Sequence, residues 1–190
     1  MTKFKLGVIV GSNRRESINR KLAQALVRLG ADRFEASFIP ISDLPLYNQD
    51  LEAAMPVSVT RFKSDIAGID ALLFVTPEHS RSIPALLKNA IDWGARPYGK
   101  SSWPGKPAAV IGTSGGAIST AVAQQHLRAV LGDLGLHIAG GEAYIQFKPD
   151  LIDAQGAVSD DSVRTFLKRF VDQFAAFAAK FAPQRATAAA

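Results

Sequence analysis

The chain contains no cysteine. Disulfides, thiolate nucleophiles, iron–sulfur clusters and thiol redox centres are thereby excluded, so any redox chemistry must come from a bound cofactor. The three histidines, His79, His126 and His137, lie far apart, and no two have the close spacing of metal ligands. No apolar run approaches the roughly 20 residues that span a bilayer. The start, Met1-Thr2-Lys3-Phe4-Lys5, runs straight into a strand pattern without a signal-type apolar segment. A cytoplasmic protein with no membrane partner is expected. Acidic residues are in the minority, 17 Asp and Glu against 22 Lys and Arg, for a net charge of +5. The basic residues are scattered and aromatics do not alternate with them. A solvated basic surface, and no nucleic-acid partner, is the expectation.

What the chain does have is a regular alternation. At 190 residues with 47% hydrophobic content it fits one domain with a proper core. We place that domain at residues 1–182 and read the Pro/Ala-rich residues 183–190 as a disordered tail. Strands are expected at Leu6–Val10, Phe34–Ile39, Ala71–Thr76, Ala108–Gly112 and Ile138–Ile145, with Gly140-Gly141 as a candidate break in the last. Helices are expected at Asn19–Leu29, Pro56–Ala67, Ala85–Trp93, Ala121–Leu134 and Ser162–Lys180. Residues Arg96–Gly105 read as a long loop. Such alternation predicts an α/β fold, a doubly wound five-stranded parallel sheet of order 2-1-3-4-5 with helices on both faces. Ligands then bind beyond the carboxyl ends of the strands, where the winding reverses.

Three loops should meet there. The first, Gly11-Ser12-Asn13-Arg14-Arg15-Glu16-Ser17-Ile18-Asn19, leads from a buried strand into a helix. A helix N-terminus carries unpaired N–H donors and partial positive charge, a seat for phosphate. The run lacks the Gly-Lys-Ser/Thr of a Walker loop and the G-x-G-x-x-G of a dinucleotide fingerprint. Ser12, Ser17 and Asn19 instead offer side-chain donors suited to a terminal monophosphate, with Arg14 or Arg15 to neutralise it. The alternative is an ordinary turn with Ser17 as N-cap. The second loop, Pro77-Glu78-His79-Ser80-Arg81-Ser82-Ile83-Pro84, is stiffened by its prolines. In the third, Thr113-Ser114-Gly115-Gly116, glycines let backbone N–H groups approach a flat ligand. A phosphate seat beside a rigid slot is what flavin mononucleotide (FMN) requires.

These motifs, together with Leu87-Lys88-Asn89-Ala90-Ile91-Asp92-Trp93, Gly105-Lys106-Pro107 and Gln125-His126-Leu127-Arg128, resemble the NADPH-dependent FMN reductase family, which includes bacterial quinone and chromate reductases. The resemblance covers roughly residues 4 to 147. It implies a flavodoxin-like fold, non-covalent FMN, reduction by NADPH or NADH, and two-electron ping-pong transfer to quinones, free flavins, chromate or another small-molecule acceptor. It also implies a homodimer or homotetramer. Carried over by position, Ser12, Arg14, Ser17 and Asn19 match the phosphate loop. Pro77, Glu78, His79, Ser80 and Ser82 match the ring-side loop, and Ser114 and Gly115 the loop after strand 4. The chain departs from the family at His79-Ser80, where Tyr-Asn is usual, and at Ser119-Thr120, where Gly-Gly or Gly-Thr is common.

No protein residue is assigned a catalytic role, because hydride transfer at flavin N5 needs positioning more than acid or base. Glu78 reads as structural. His79 reads either as a proton source for the acceptor or as a plain loop residue, and His126 as a packing or interface residue. Arg81 and Arg96 either attract the NADPH phosphate or face solvent. The Leu86–Trp93 segment reads as core and subunit interface, and the stripe Phe166, Phe170, Phe174, Phe177 as core-facing. A flavodoxin-type electron carrier serving protein partners is the rival reading. Such carriers are typically acidic, and this chain is basic.

Overall fold

The computed structural model describes residues 3–153 and 155–181. The tail assigned to 183–190 lies outside the described residues. The elements are β1 (Phe4–Val10), α1 (Ile18–Leu29), β2 (Phe34–Phe38), a 3-10 turn (Gln49–Ala54), α2 (Val57–Ala67), β3 (Ala71–Val75), α3 (Ala85–Ala95), β4 (Pro107–Ser114), α4 (Ala121–Asp133), β5 (His137–Ile138), β6 (Tyr144–Gln146) and α5 (Asp161–Ala178). The sheet order is β2-β1-β3-β4-β5, with β6 also paired to β4, and every pairing is parallel. The expected order therefore holds. The fifth strand position, though, is shared by two short strands on either side of Gly140-Gly141. Among the described residues no helix is long and apolar enough to cross a membrane.

Strand periodicity divides the core into two layers. Leu6, Val8 and Val10 of β1, Leu73 of β3 and Ile111 of β4 face α1 and α5, where they meet Leu22, Leu26, Leu167 and Phe174. Ile9, Leu72, Phe74 and Val110 face the opposite layer, with Phe62 of α2, Leu87 and Trp93 of α3 and Leu127 of α4. Of the phenylalanine stripe, Phe174 is buried while Phe166, Phe170 and Phe177 pack only partly against the first layer. Leu87, Ala90, Ile91 and Trp93 are consumed by the chain's own core, so the expected interface role of Leu86–Trp93 is left with little apolar surface.

The long loop after α3 is an ordered part of that second layer. Trp103 is fully buried and donates through Nε1 to the carbonyl of Ile91 at 2.9 Å. Its indole lies where a Cβ on Gly94 would sit, 2.1 Å from the ring edge, so only glycine fits there. Lys63 of α2 donates to the carbonyls of Gly94, Arg96 and Lys100, capping the end of α3, and burial lowers its pKa. Asn89 and Trp93 of α3 hold the opposite loop through the carbonyl of Pro45, and Asn89 also accepts from the Tyr47 N–H.

The break at the sheet edge has an identifiable cause. The guanidinium of Arg128 donates to the carbonyls of Ala139 at 2.7 Å, Gly141 at 2.7 Å and Val110 at 3.5 Å. It thus stands in for the ladder hydrogen bonds missing between β5 and β6. Burial lowers its pKa, opposed by the nearby Tyr144 and Glu142. Replacing Arg128 with Met would leave those carbonyls without a donor. The expected cost is about 2–4 kcal/mol of unfolding free energy, from the loss of charge-assisted bonds at partly buried carbonyls. Urea denaturation of both proteins would measure it, and a change below about 0.5 kcal/mol, within the scatter of a surface substitution, would show that the edge does not depend on this side chain.

Candidate functional site

The three loops converge as the topology requires. Gly11 N–H donates to the carbonyl of Val75, and Thr76 N–H to that of Ile111. The ends of β1, β3 and β4 are thus stitched in sequence. At Gly112 the approach is closest: a Cβ there would lie 2.0 Å from the carbonyl oxygen of Thr76 and 2.3 Å from Oγ1 of Thr120. Glycine is required at that point for the second and third loops to sit side by side.

The first loop is anchored from behind. Ser17, which is buried, caps α1, its Oγ accepting from Arg20 N–H at 3.2 Å. The cap leaves the hydroxyl hydrogen free to donate. Asn19 is buried, and its carboxamide is spent on the backbone of β4. Nδ2 donates to the carbonyl of Thr113 at 2.9 Å, and Oδ1 accepts from the Thr113 N–H at 3.0 Å. The sequence reading made Asn19 a phosphate ligand, whereas here its amide ties the first loop to the third loop. Ser12 remains part-exposed and Asn13, Arg14, Arg15 and Glu16 exposed, with Ser12 Oγ accepting from Arg14 N–H at 3.4 Å.

The second loop is a tight hairpin. His79 and Ser82 exchange both backbone hydrogen bonds, at 3.0 and 2.9 Å. Between them Ser80 and Arg81 take φ of 48° and 61°. Two consecutive left-handed residues define the primed turn that suits a two-residue hairpin, normally filled by Asn and Gly. Here neither residue is glycine, so the turn is strained.

Side chains hold it in place. Glu78 has a side chain only 8% exposed. Its Oε2 accepts from the Ala123 N–H in the first turn of α4 at 3.0 Å, and its Oε1 from Arg81 at 2.9 Å. Thr120 supplies no side-chain cap to α4, so this carboxylate from another loop completes the helix N-terminus. That is the structural role the sequence suggested. Ser82 Oγ lies 3.1 Å from Nδ1 of His126 on α4, a partner for the loop that its sequence position alone did not reveal.

The third loop is braced within itself. Ser114 Oγ donates to the carbonyl of Ser119 and accepts from Gly116 N–H, while Gln146 holds the carbonyl of Gly115. Gly115 and Gly116 are exposed.

The nominated residues therefore divide in two. Ser17, Asn19, Glu78, Ser82 and Ser114 build the frame. Ser12, Arg14, His79, Ser80 and Gly115 present atoms outward, and Pro77 is half-buried at the start of the second loop. Arg81 and Arg96 do not face solvent alone: Arg81 pairs with Glu78 and Arg96 with Glu52 at 2.7 Å. The Arg96 bond, followed by the Tyr47 hydroxyl, lowers the pKa of Glu52, and the Glu52 bond raises that of Tyr47. Among the described residues no three His, Asp or Glu side chains gather to hold a metal ion.

The chain is similar to several known proteins. The model of the family described as NADPH-dependent FMN reductase matches residues 4–150. A 2-hydroxy-1,4-benzoquinone reductase of a Burkholderia species is 47% identical over 175 residues, covering 92% of this chain and 96% of the relative. A quinone reductase of Pseudomonas putida is 47% identical over 176 residues, covering 92% and 94%. Among solved structures, FerB of Paracoccus denitrificans, a flavoenzyme NAD(P)H:(acceptor) oxidoreductase, superposes with a TM-score of 0.91 at 46% identity, covering 94% of this chain and 98% of that one.

Two substitutions separate frame from strain. Asn19→Ala removes both bonds to Thr113 in a buried setting and is expected to cost about 2–3 kcal/mol. Ser80→Asn places a residue that tolerates φ above zero at the hairpin. It should stabilise by about 0.5–1 kcal/mol, part of the left-handed penalty. Chemical denaturation reads both, and a destabilised Ser80→Asn would show that the turn is not strained at that residue.

Proposed function

The chain belongs to the NADPH-dependent FMN reductase family, and from that premise we propose how its loops seat FMN and admit an electron donor and an acceptor in turn. The protein is an FMN-dependent NAD(P)H:acceptor oxidoreductase. The observation that carries the site assignment is the split of the nominated residues into a braced frame and an outward face.

The donor set fits the cofactor. Ser12 on the cleft wall and the N-terminus of α1, capped by Ser17, offer donors for a monophosphate, with Arg14 on the same wall to neutralise it. Gly115 and Gly116 leave a wall without side chains beside the hairpin, suited to a flat ring system. Bound FMN supplies the two-electron chemistry, accepting hydride from NAD(P)H and yielding it to the acceptor.

The chain's own residues position and shield. Glu78 has both oxygens committed, so it holds the ring-side hairpin against α4 and does not act as an acid. His79 and Ser80 stand exposed on the hairpin, where imidazole replaces the usual phenol and borders the acceptor space. The outward residues leave one open face for donor and acceptor, which must then alternate. Quinones are the favoured acceptors, because the relatives at 47% identity carry that activity in their names.

A homo-oligomer is the proposed assembly. Leu46, Val57 and Tyr98 are 83%, 86% and 92% exposed on segments that are internally well braced. Rigid loops presenting large apolar side chains suit burial against a second copy. Sedimentation at micromolar concentration should show a species heavier than 20.3 kDa, and a monomer alone would overturn this part.

Two measurements test the rest. FMN should bind much more tightly than riboflavin, which lacks the phosphate. Ser12→Ala and Arg14→Ala should each weaken FMN by about tenfold or more, the worth of a charge-assisted hydrogen bond, whereas Arg28→Ala should not. Equal affinity for FMN and riboflavin would remove the phosphate assignment. In steady state, NAD(P)H and a quinone varied together should give parallel double-reciprocal lines. Bound flavin that stays oxidised under excess NADPH and NADH, yet is reduced by a partner reductase, would replace this reading with that of an electron carrier.

A further inference from the structure

The hairpin of the second loop is gripped by one helix at both of its legs. On the leg before the turn, Glu78 Oε2 accepts from the Ala123 N–H of α4 at 3.0 Å. On the leg after it, Ser82 Oγ lies 3.1 Å from Nδ1 of His126 on the same helix. Ala123 and His126 are three residues apart, so both grips fall on one face of α4. Between the legs stand Ser80 and Arg81, with φ of 48° and 61°.

Backbone strain of this kind persists only where the surrounding contacts over-determine it, and it collects at positions that hold a ligand. Position 80 is a serine where asparagine is usual in the family, and asparagine tolerates the left-handed region better. This turn stores more strain than one with asparagine would, and it depends on its anchors accordingly.

The two anchors differ. The Glu78 side chain is nearly buried and also paired with Arg81, so its grip is shielded. His126 is exposed and holds the other leg by a single bond between two side chains. Neither Ser82 Oγ nor the His126 ring has another hydrogen-bond partner among the described residues. The sequence suggested a packing or interface role for His126, whereas its imidazole is turned to the hairpin.

We propose that His126 is a positioning residue for the acceptor. Through Ser82 it holds the strained hairpin down on α4, and so fixes the place of His79 and Ser80 beside the acceptor space. The acceptor role rests on the oxidoreductase reading above; the anchoring role does not. An imidazole suits the task. Its Nδ1 accepts from the Ser82 hydroxyl when neutral and donates to that oxygen when protonated, so a bond exists in either state.

The test uses the FMN-loaded protein with His126→Leu, which abolishes the bond, and His126→Asn, whose polar δ atoms stand where Nδ1 does. Hydrogen exchange followed by nuclear magnetic resonance reads the His79 and Ser82 amides, which bond each other across the hairpin. In His126→Leu both should exchange about fivefold faster, the worth of one neutral hydrogen bond, with β1 and β3 unchanged. The KM for 1,4-benzoquinone should rise by a similar factor with kcat within twofold, the pattern of binding lost equally from ground and transition states. His126→Asn should restore both values. Ser82→Ala removes the same bond from its other end and should reproduce the leucine variant. Combining the two should add nothing further. Should His126→Leu fail to fold, Ser82→Ala carries the same readouts.

Unchanged exchange at His79 and Ser82, or additive effects of the two substitutions, overturns the anchoring role. Faster exchange with an unaltered KM, or a KM that asparagine does not restore, overturns the positioning role. If the unmodified protein passes no electrons from NADPH or NADH to the quinone, the oxidoreductase reading falls and takes the acceptor role with it, while the exchange data still decide the anchor.

Discussion

The carboxamide of Asn19 is the contact on which the geometry of the site depends. It bonds both backbone groups of Thr113, at 2.9 and 3.0 Å, from the first turn of α1 to the end of β4. One planar group thus fixes the distance between the first loop and the glycine-bearing third loop. A carboxamide suits this task because it donates and accepts in one plane. Its burial excludes competing water and makes an unmade bond costly. Ser17 is held by the same turn, so the first loop is anchored to the sheet from within.

A similar economy runs through the rest of the molecule. Glu78 caps α4 from a different loop, Lys63 closes the end of α3 from α2, and Arg128 fills a gap in the sheet from α4. Each is an ionisable side chain used against backbone groups that secondary structure leaves unpaired. Each also joins two separate elements of the fold. The outward residues of the site therefore sit on a support with little freedom, which is the condition for holding a cofactor without distortion. The hairpin at Ser80 and Arg81 is where this support carries backbone strain.

Charge is distributed with the same division. Arg96 is matched by Glu52 and Arg81 by Glu78, Arg128 is spent on backbone carbonyls, and Arg14, Arg15 and Arg20 beside the first loop have no ion pair among the described residues. A net charge of +5 alone could not distinguish these groups. Unpaired cations on one edge of the sheet attract anions over a distance set by ionic strength.

The sequence by itself determined the strand order, the two-layer core, and the place where loops would meet, because these follow from local periodicity and from the handedness of parallel crossovers. It also carried the family resemblance, since the motifs Gly11–Asn19, Val75–Pro84 and Leu87–Trp93 are contiguous. What only the tertiary structure decided is which polar residues face outward. Asn19 and Ser12 look alike as phosphate donors in the sequence, but Thr113, 94 positions further on, claims one of them. Likewise Arg96 and Arg15 are equivalent as cations until Glu52, brought close by folding, neutralises the first. The interrupted fifth strand was suggested by Gly140-Gly141, yet the side chain that makes the break stable comes from α4. Local pattern specifies where each backbone segment goes. Hydrogen-bonding partners are set by the pairing of segments distant in sequence, because a buried polar atom must be satisfied by whatever the fold brings within about 3 Å.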